Sequence, residues 1–297
     1  MSVNLPSHFV REYATNVQLL LQQKGSKLRQ AVMAGMYVGD QASPVDQIDS
    51  VEMQQVTTRF GAMPRVDAAV ARRWVFPVSY DLPQLIDQFD KLRMLTDPES
   101  QYVQNAVYAA GRKMDTAIIT AFQAAANTGV NGATSTSFIA GNEVDVDVGG
   151  TASRLNVAKL LAVKELIRIN HIDPDEDPCY VGLTAKDESA LLKEIQITSA
   201  DFNGKDTPVL QAGKLVRFLG LNFIYCELVE SVAAGVSEVT VPVWARSGMH
   251  LGIWGDVQTS ISKRNDLQGE PWQAYVFATF GATRLDEEKV FAIESAR

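Results

Sequence analysis

Residues 97–129 read DPESQYVQNAVYAAGRKMDTAIITAFQAAANTG, and this stretch sets the frame for the rest of the chain. Asp97 offers a side-chain oxygen to the free N–H groups of a helix start, Pro98 suits the first helical position, and Glu99 lies where the helix dipole favours an acid. Val103, Val107, Ala110, Met114, Ile118 (with Ala117), Ala121 and Ala125 then recur at alternating steps of four and three, which places them on one face. The spacing predicts a helix over about 98–127, ending near Asn127-Thr128-Gly129 and roughly 43 Å long. A helix of that length with small residues on its stripe is a scaffold for a sheet or a second helix.

Upstream, the pattern has period two. VEMQQVTTRF (51–60), a break at GAMPRVDA (61–68) and VARRWVFPVSYD (70–81) read as two strands around a long turn, an extended hairpin over about 49–84. So long a hairpin, with so few core residues, is not stable alone in water and needs a surface to lie on. A neighbouring subunit is the natural candidate, with Arg59, Phe60 and Met63 toward the turn and Arg72, Arg73 and Trp74 on the second strand as contact residues. Trp74, large and rigid, is the expected hot spot. Before the hairpin, Phe9, Tyr13, Val17, Leu20, Leu21, Leu28 and Val32 predict an amphipathic helix from Ser7 to about Met36, followed by the linker GDQASP (39–44). This arm, 1–48, packs either on its own domain or on another subunit, with Phe9 and Tyr13 as its candidate contacts.

Downstream, helices are predicted over about 154–170 and 185–195, and strands at CYVGLT, KLVRFLGLNFIYCE and VTVPVWAR. Leu155, Ala158, Leu161, Ala162, Leu166 and Ile169 share a side of the first of these helices. Met249–Ser262 and Gln273–Thr283 form a second long strand pair, closed by Lys289–Ile293. Helices and strands mix without regular alternation, so the fold class is α+β.

The chain has 297 residues, 46% hydrophobic, with 27 basic and 35 acidic side chains and a net charge of −8. That is enough apolar material for a sizeable core, and the acidic balance argues against holding duplex nucleic acid by phosphate neutralisation. Cys179 and Cys226 match no zinc spacing, and the N-terminus carries no signal-peptide pattern, so synthesis and retention in the cytoplasm are expected. No stretch has the apolar length of a membrane span.

No cofactor motif is present, and no catalytic residue is expected. His8, His171 and His250 lie far apart and outside any metal-ligand pattern. Gln211-Ala212-Gly213-Lys214-Leu215 has Leu where a P-loop needs Ser or Thr, and Pro208 where its first glycine belongs. Asp173-Pro174-Asp175-Glu176-Asp177-Pro178 lacks the central glycine of a calcium loop and reads as a solvated turn. Glu143, Asp145 and Asp147 alternate, and on one strand face they could gather a cation at a subunit junction.

The order of arm, hairpin, long helix, mixed middle and closing strands resembles tailed-bacteriophage major capsid proteins of the Hong Kong 97-like fold. Several stretches carry the resemblance: Leu21-Gln22-Gln23-Lys24-Gly25-Ser26, Arg72-Arg73-Trp74-Val75, Asp90-Lys91-Leu92-Arg93-Met94-Leu95, Thr198-Ser199-Ala200-Asp201-Phe202-Asn203, Ser247-Gly248-Met249-His250-Leu251-Gly252 and Phe280-Gly281-Ala282-Thr283-Arg284. Together they span almost the whole chain.

The resemblance implies an N-terminal arm (1–48), an E-loop (49–84) reaching over an adjacent subunit, and a peripheral domain (85–132) holding the spine helix. It further implies an axial domain (133–255) and returning peripheral strands (256–297). Copies would assemble as hexamers and pentamers in the host cytoplasm into an icosahedral virion shell around double-stranded DNA, touching that DNA by weak non-specific contact. A portal, a separate scaffolding protein and a decoration protein are the further partners, the scaffold because only about 45 residues precede the hairpin. Some capsids of this fold crosslink through an E-loop lysine, and this chain has none between Lys27 and Lys91, so no crosslink is expected. An encapsulin-like compartment shell is the alternative on the same fold. A cytoplasmic enzyme with a pocket around His171 and the 173–177 acids is the alternative of another class.

Overall fold

Cys179–Leu183, Glu238–Ala245 and Val290–Ala296 carry near-continuous apolar runs, which suit strands covered on both faces. The computed structural model describes residues 22–48, 50–55, 59, 61, 65–86, 99–148, 150–194, 215–232 and 238–297, and there these runs form the centre of a mixed sheet. In chain order the strands are β1 (Met33–Met36), β2 (Asp46–Ile48), β3 (Val70–Trp74), β4 (Val78–Ile86), β5 (Ala126–Thr128), β6 (Thr134–Thr136), β7 (Glu143–Val144), β8 (Cys179–Leu183), β9 (Arg217–Phe218), β10 (Leu221–Tyr225), β11 (Glu238–Ala245), β12 (Met249–Lys263), β13 (Trp272–Arg284) and β14 (Val290–Ala296). The helices are α1 (Glu99–Gln123), α2 (Val157–Ile169), α3 (Ala185–Leu191) and α4 (Leu228–Val232).

Three sheets result. Six strands lie in the order β7-β14-β11-β8-β10-β9, four in the order β1-β12-β13-β4, and four in the order β2-β3-β5-β6. The main core packs on the six-stranded sheet, with Val181, Leu183, Val241, Val243, Phe291 and Ile293 meeting Leu160, Val163 and Ile167 of α2. Asn156 caps α2 by accepting the Lys159 N–H at 2.9 Å. Thr184 caps α3 through the Asp187 N–H, and Asp187 answers by accepting the Thr184 hydroxyl at 2.6 Å.

Two compact units divide the chain. One draws on 1–25, 79–112 and 255–279: the first half of α1, most of β4, and the distal parts of β12 and β13. Its edge strand β4 contains Pro83, a position where the missing N–H costs no ladder bond. Arg112 of α1 donates to the Gln22 side chain at 2.6 Å and to the Gln23 carbonyl at 3.2 Å. The other unit holds 26–78, 113–254 and 280–297, including the whole six-stranded sheet.

The α+β class and the long elements follow the sequence pattern, and several local expectations are corrected. The arm helix does not reach Met36: Arg29–Ala31 is a single 3₁₀ turn and Met33–Met36 is a strand, parallel to His250–Ile253. The Ala31 carbonyl accepts the Trp244 indole N–H at 2.9 Å, and Gly25 adopts φ +74° just upstream. The long helix stops at Gln123, because Ala126–Thr128 is captured between β3 and β6. Gly129, with φ +86°, therefore turns a hairpin instead of ending the helix.

Residues 50–55 form no strand, and β3 pairs with the short β2. Met53 is fully exposed and Val51 largely so, which leaves this limb without a face to bury. On α2 the buried side is Val157, Leu160, Val163 and Ile167, while Leu161 and Ile169 face outward. Finally β14 does not close the long strand pair but runs antiparallel to β11 and parallel to β7. Phe9, Tyr13, Phe60, Met63, the Asp97 cap and His8 lie outside the described residues.

Candidate functional site

At the foot of the hairpin, alternation along β3 sends Arg72 and Arg73 to opposite sides. Arg72 stays exposed and forms a two-point ion pair with Asp46, its direct cross-strand neighbour, at 2.5 and 3.0 Å. That guanidinium holds the Asp46 carboxyl below the usual carboxylate range. Arg73 is buried: it reaches Glu287 at 3.0 Å, the Leu285 carbonyl at 2.9 Å and the Thr136 hydroxyl at 3.3 Å. Trp74 is half-buried and donates its indole N–H to the Gly129 carbonyl at 2.7 Å, with Arg72 5.7 Å from its ring centre. Arg59 is exposed.

Glu287 also receives Arg284, at 3.4 Å, so one carboxylate lies between two guanidiniums. Burial pushes the Glu287 carboxyl up and the Arg284 guanidinium down, and their mutual attraction opposes both shifts. Arg284 is fully buried and donates to the Phe122 carbonyl at 2.5 Å, in the last turn of α1 where the helix dipole favours a cation. One cluster thus ties the hairpin, the end of the long helix, β6 and the β13–β14 turn together. Of this set the sequence singled out only Arg73 as a contact residue, with Arg284 noted as the end of a resembling stretch.

Asp115 on α1 is buried and accepts the Ser26 hydroxyl at 2.5 Å and the backbone N–H groups of Lys27 and Leu28 at 3.0 and 3.1 Å. Lys159 is buried too, donating to the Ser153 and Glu294 carbonyls at 2.6 and 2.7 Å, and burial lowers its pKa. His250 lies 2.9 Å from the Tyr37 hydroxyl through Nε2, and burial lowers its pKa to about 4.

The 173–177 acids are engaged around their own loop. Asp173 pairs with Arg168 at 3.5 Å, Asp175 with Arg217 at 3.1 Å, and Asp177 accepts the Ser247 N–H at 3.2 Å. His171 is an exposed residue at φ +58° just past α2. Among the described residues no group of three or more His, Cys, Asp or Glu is arranged to hold a metal ion.

Among the described residues of the larger unit are two grooves lined by charged side chains. One, of about 510 Å³, is lined by Ala140, Glu143, Asp145, Glu238, Thr240 and Glu294. Glu143 and Asp145 both line it, but β7 ends at Val144 and Asp147 is not on the lining, so the three acids do not share a strand face. The other groove, of about 380 Å³, is lined by Arg154, Ala185, Lys186, Ser189, Ala190 and Lys193.

Residues 5–296 match the family described as phage capsid protein. The chain belongs to that family. The capsid protein has the fold of the cyanophage Pam1 capsid, with TM-score 0.77 at 12% identity over 99% of this chain and 98% of that one. The capsid of cyanophage P-SCSP1u gives TM-score 0.75 at 11% identity, covering 98% of this chain and 94% of that one. The capsid of Helicobacter pylori bacteriophage KHP30 gives 0.71 at 11%, covering 100% and 98%. No curated protein sequence matches. The capsid protein is a structural component of the virion, built on the Hong Kong 97-like fold. No helix among the described residues is long and apolar enough to cross a membrane.

Proposed function

We propose that this capsid protein is the major coat protein of a tailed bacteriophage, closing as hexamers and pentamers into an icosahedral shell around double-stranded DNA. The observation that carries the reading is the family match over 5–296. The hairpin over 49–84 serves as the E-loop and lies on a neighbouring copy. Its exposed apolar side chains, Val51, Met53, Val66 and Val70, support this, since a neighbour is what would cover them. Arg59 and Arg72 are the charged contacts on that face, whereas Arg73 serves its own chain. Phe60, Met63, Phe9 and Tyr13 keep their proposed places at subunit contacts. The spine helix and the long strands act as the peripheral domain and the six-stranded sheet as the axial domain.

A separate scaffolding protein, a portal and a decoration protein complete the assembly, and the DNA is held by weak non-specific contact. A surplus of negative charge suits such a container, because it does not trap the packaged DNA. The test is the polypeptide and nucleic-acid content of purified particles. The chain should be the most abundant polypeptide, should run as an unlinked band on denaturing gels, and should protect double-stranded DNA from nuclease. Particles filled with an enzyme and no DNA would mark a compartment shell instead.

A further inference from the structure

The two grooves of the larger unit differ in charge and in side. In the acidic groove, Glu238 and Thr240 of β11 share a face with Glu294 of β14, because Thr240 and Glu294 are direct cross-strand partners. Glu143 of β7 registers with Ala292, which lies two residues from Glu294, so it joins the same face. The neighbouring β14 residue, Ser295, points the opposite way and donates to Asp187 of α3 at 2.8 Å. Helix α3 therefore covers the opposite face of the sheet. Its outer side, with Lys186 and Ser189 exposed, forms the basic groove together with Lys193 just past its end and Arg154.

Each groove lacks its counter-charge along the lining. Glu143 and Glu238 make no ion pair among the described residues, and burial, with a smaller contribution from these two acids, raises the Glu294 pKa. On the basic side, Lys186 is tethered to Glu230, and Arg154 lies 3.8 Å from the buried Asp187. Those acids flank the groove and fix two of its cations in place, and Lys193 makes no ion pair among the described residues.

We propose that the acidic groove of one copy receives the basic groove of the next, in a head-to-tail contact between the six-stranded-sheet units. Complementary patches on opposite faces of one sheet cannot meet their own kind across a twofold axis, whereas a head-to-tail contact generates rings when the rotation closes. Charge complementarity of this sort fixes register and speeds encounter, and its effect weakens with salt. The inference rests on the self-assembly of this chain and names the surfaces that make the ring contact.

The test uses the full chain in three forms: E143K with E238K, K186E with K193E, and all four together. Wild type and variants are followed by sedimentation of assembled material, with thermal melting of the unassembled subunits as the folding control. Each single-groove reversal should melt like wild type and assemble at least tenfold less. The fourfold variant, in which the complementarity is restored with exchanged sign, should recover most of that loss. Reversals that assemble like wild type, or a fourfold variant no better than either parent, would overturn the groove pairing while leaving the capsid reading standing. Failure of the unaltered chain to assemble even when co-expressed with a scaffolding candidate would remove the shell reading itself, and the pairing with it.

Discussion

Asp115, in the second half of the long helix, accepts the backbone N–H of Leu28 at 3.1 Å, so a single buried carboxylate anchors the chain at 26–28 within the unit that holds the six-stranded sheet. The same carboxylate takes the Lys27 N–H and the Ser26 hydroxyl. Asp115→Ala leaves backbone donors unsatisfied in a buried site, and the expected loss is about 2–4 kcal/mol. Asp115→Asn keeps one acceptor oxygen and should lose less. Urea unfolding of unassembled subunits measures both, and equal stability of Ala and wild type would show that the arm is not anchored there.

The Arg73–Glu287–Arg284 cluster predicts an asymmetry. Removing Glu287 strands two buried guanidiniums, whereas removing Arg73 leaves the carboxylate one partner. Glu287→Ala should therefore be the worse substitution, at roughly 3–5 kcal/mol. Denaturation midpoints of the two single variants decide it, and an Arg73→Ala change costing more than Glu287→Ala would contradict the shared-carboxylate geometry.

His250 predicts a pH dependence. An unfolded histidine titrates near 6.5, as a rule, whereas burial holds this one neutral down to about 4. Between those values the unfolded chain binds the extra proton, so stability is full above about 6.5 and falls as the pH drops toward 4. The total loss is on the order of 3 kcal/mol. His250→Gln should flatten the curve over that window, and an unchanged slope would assign the pH dependence to other groups.

Gly281 predicts a steric limit. A Cβ built there runs into the Phe76 carbonyl, which is backbone and cannot move aside as a side-chain tip can. Gly281→Ala should cost about 1–3 kcal/mol, while at Gly255, where the nearest atom is 3.8 Å away, alanine should be tolerated. Paired melting curves test the contrast, and similar curves would place β13 farther from Phe76 than it stands here.

The long elements were legible because their patterns repeat over many residues. The strand read at Met249–Ser262 is found at Met249–Lys263, and Gln273–Thr283 at Trp272–Arg284. The end of the long helix was not, since Ala124-Ala125-Ala126 is helix-forming by itself and only the pull of β3 and β6 stops it at Gln123. Nor was the charge cluster, because the partner of Arg73 stands 214 residues away and a paired arginine beside Trp74 looks like a surface contact. Asp115 reads locally as one polar position on a mixed helix, and its partners at 26–28 sit in a stretch whose own pattern suggested a helix. Glu143, Asp145 and Asp147 were visible as alternating acids, but the strand ends at Val144, and the groove that the first two line needs Glu238 and Glu294, which only strand register supplies.

The most direct measurement is electron microscopy of the protein co-expressed with its neighbouring genes, taken from the leading size-exclusion peak. Closed polyhedral particles, with pentameric and hexameric units resolved and the 49–84 hairpin lying on an adjacent copy, are the predicted result. A product confined to dimers or tetramers, with no shells or rings even when a scaffolding candidate is present, would contradict the account.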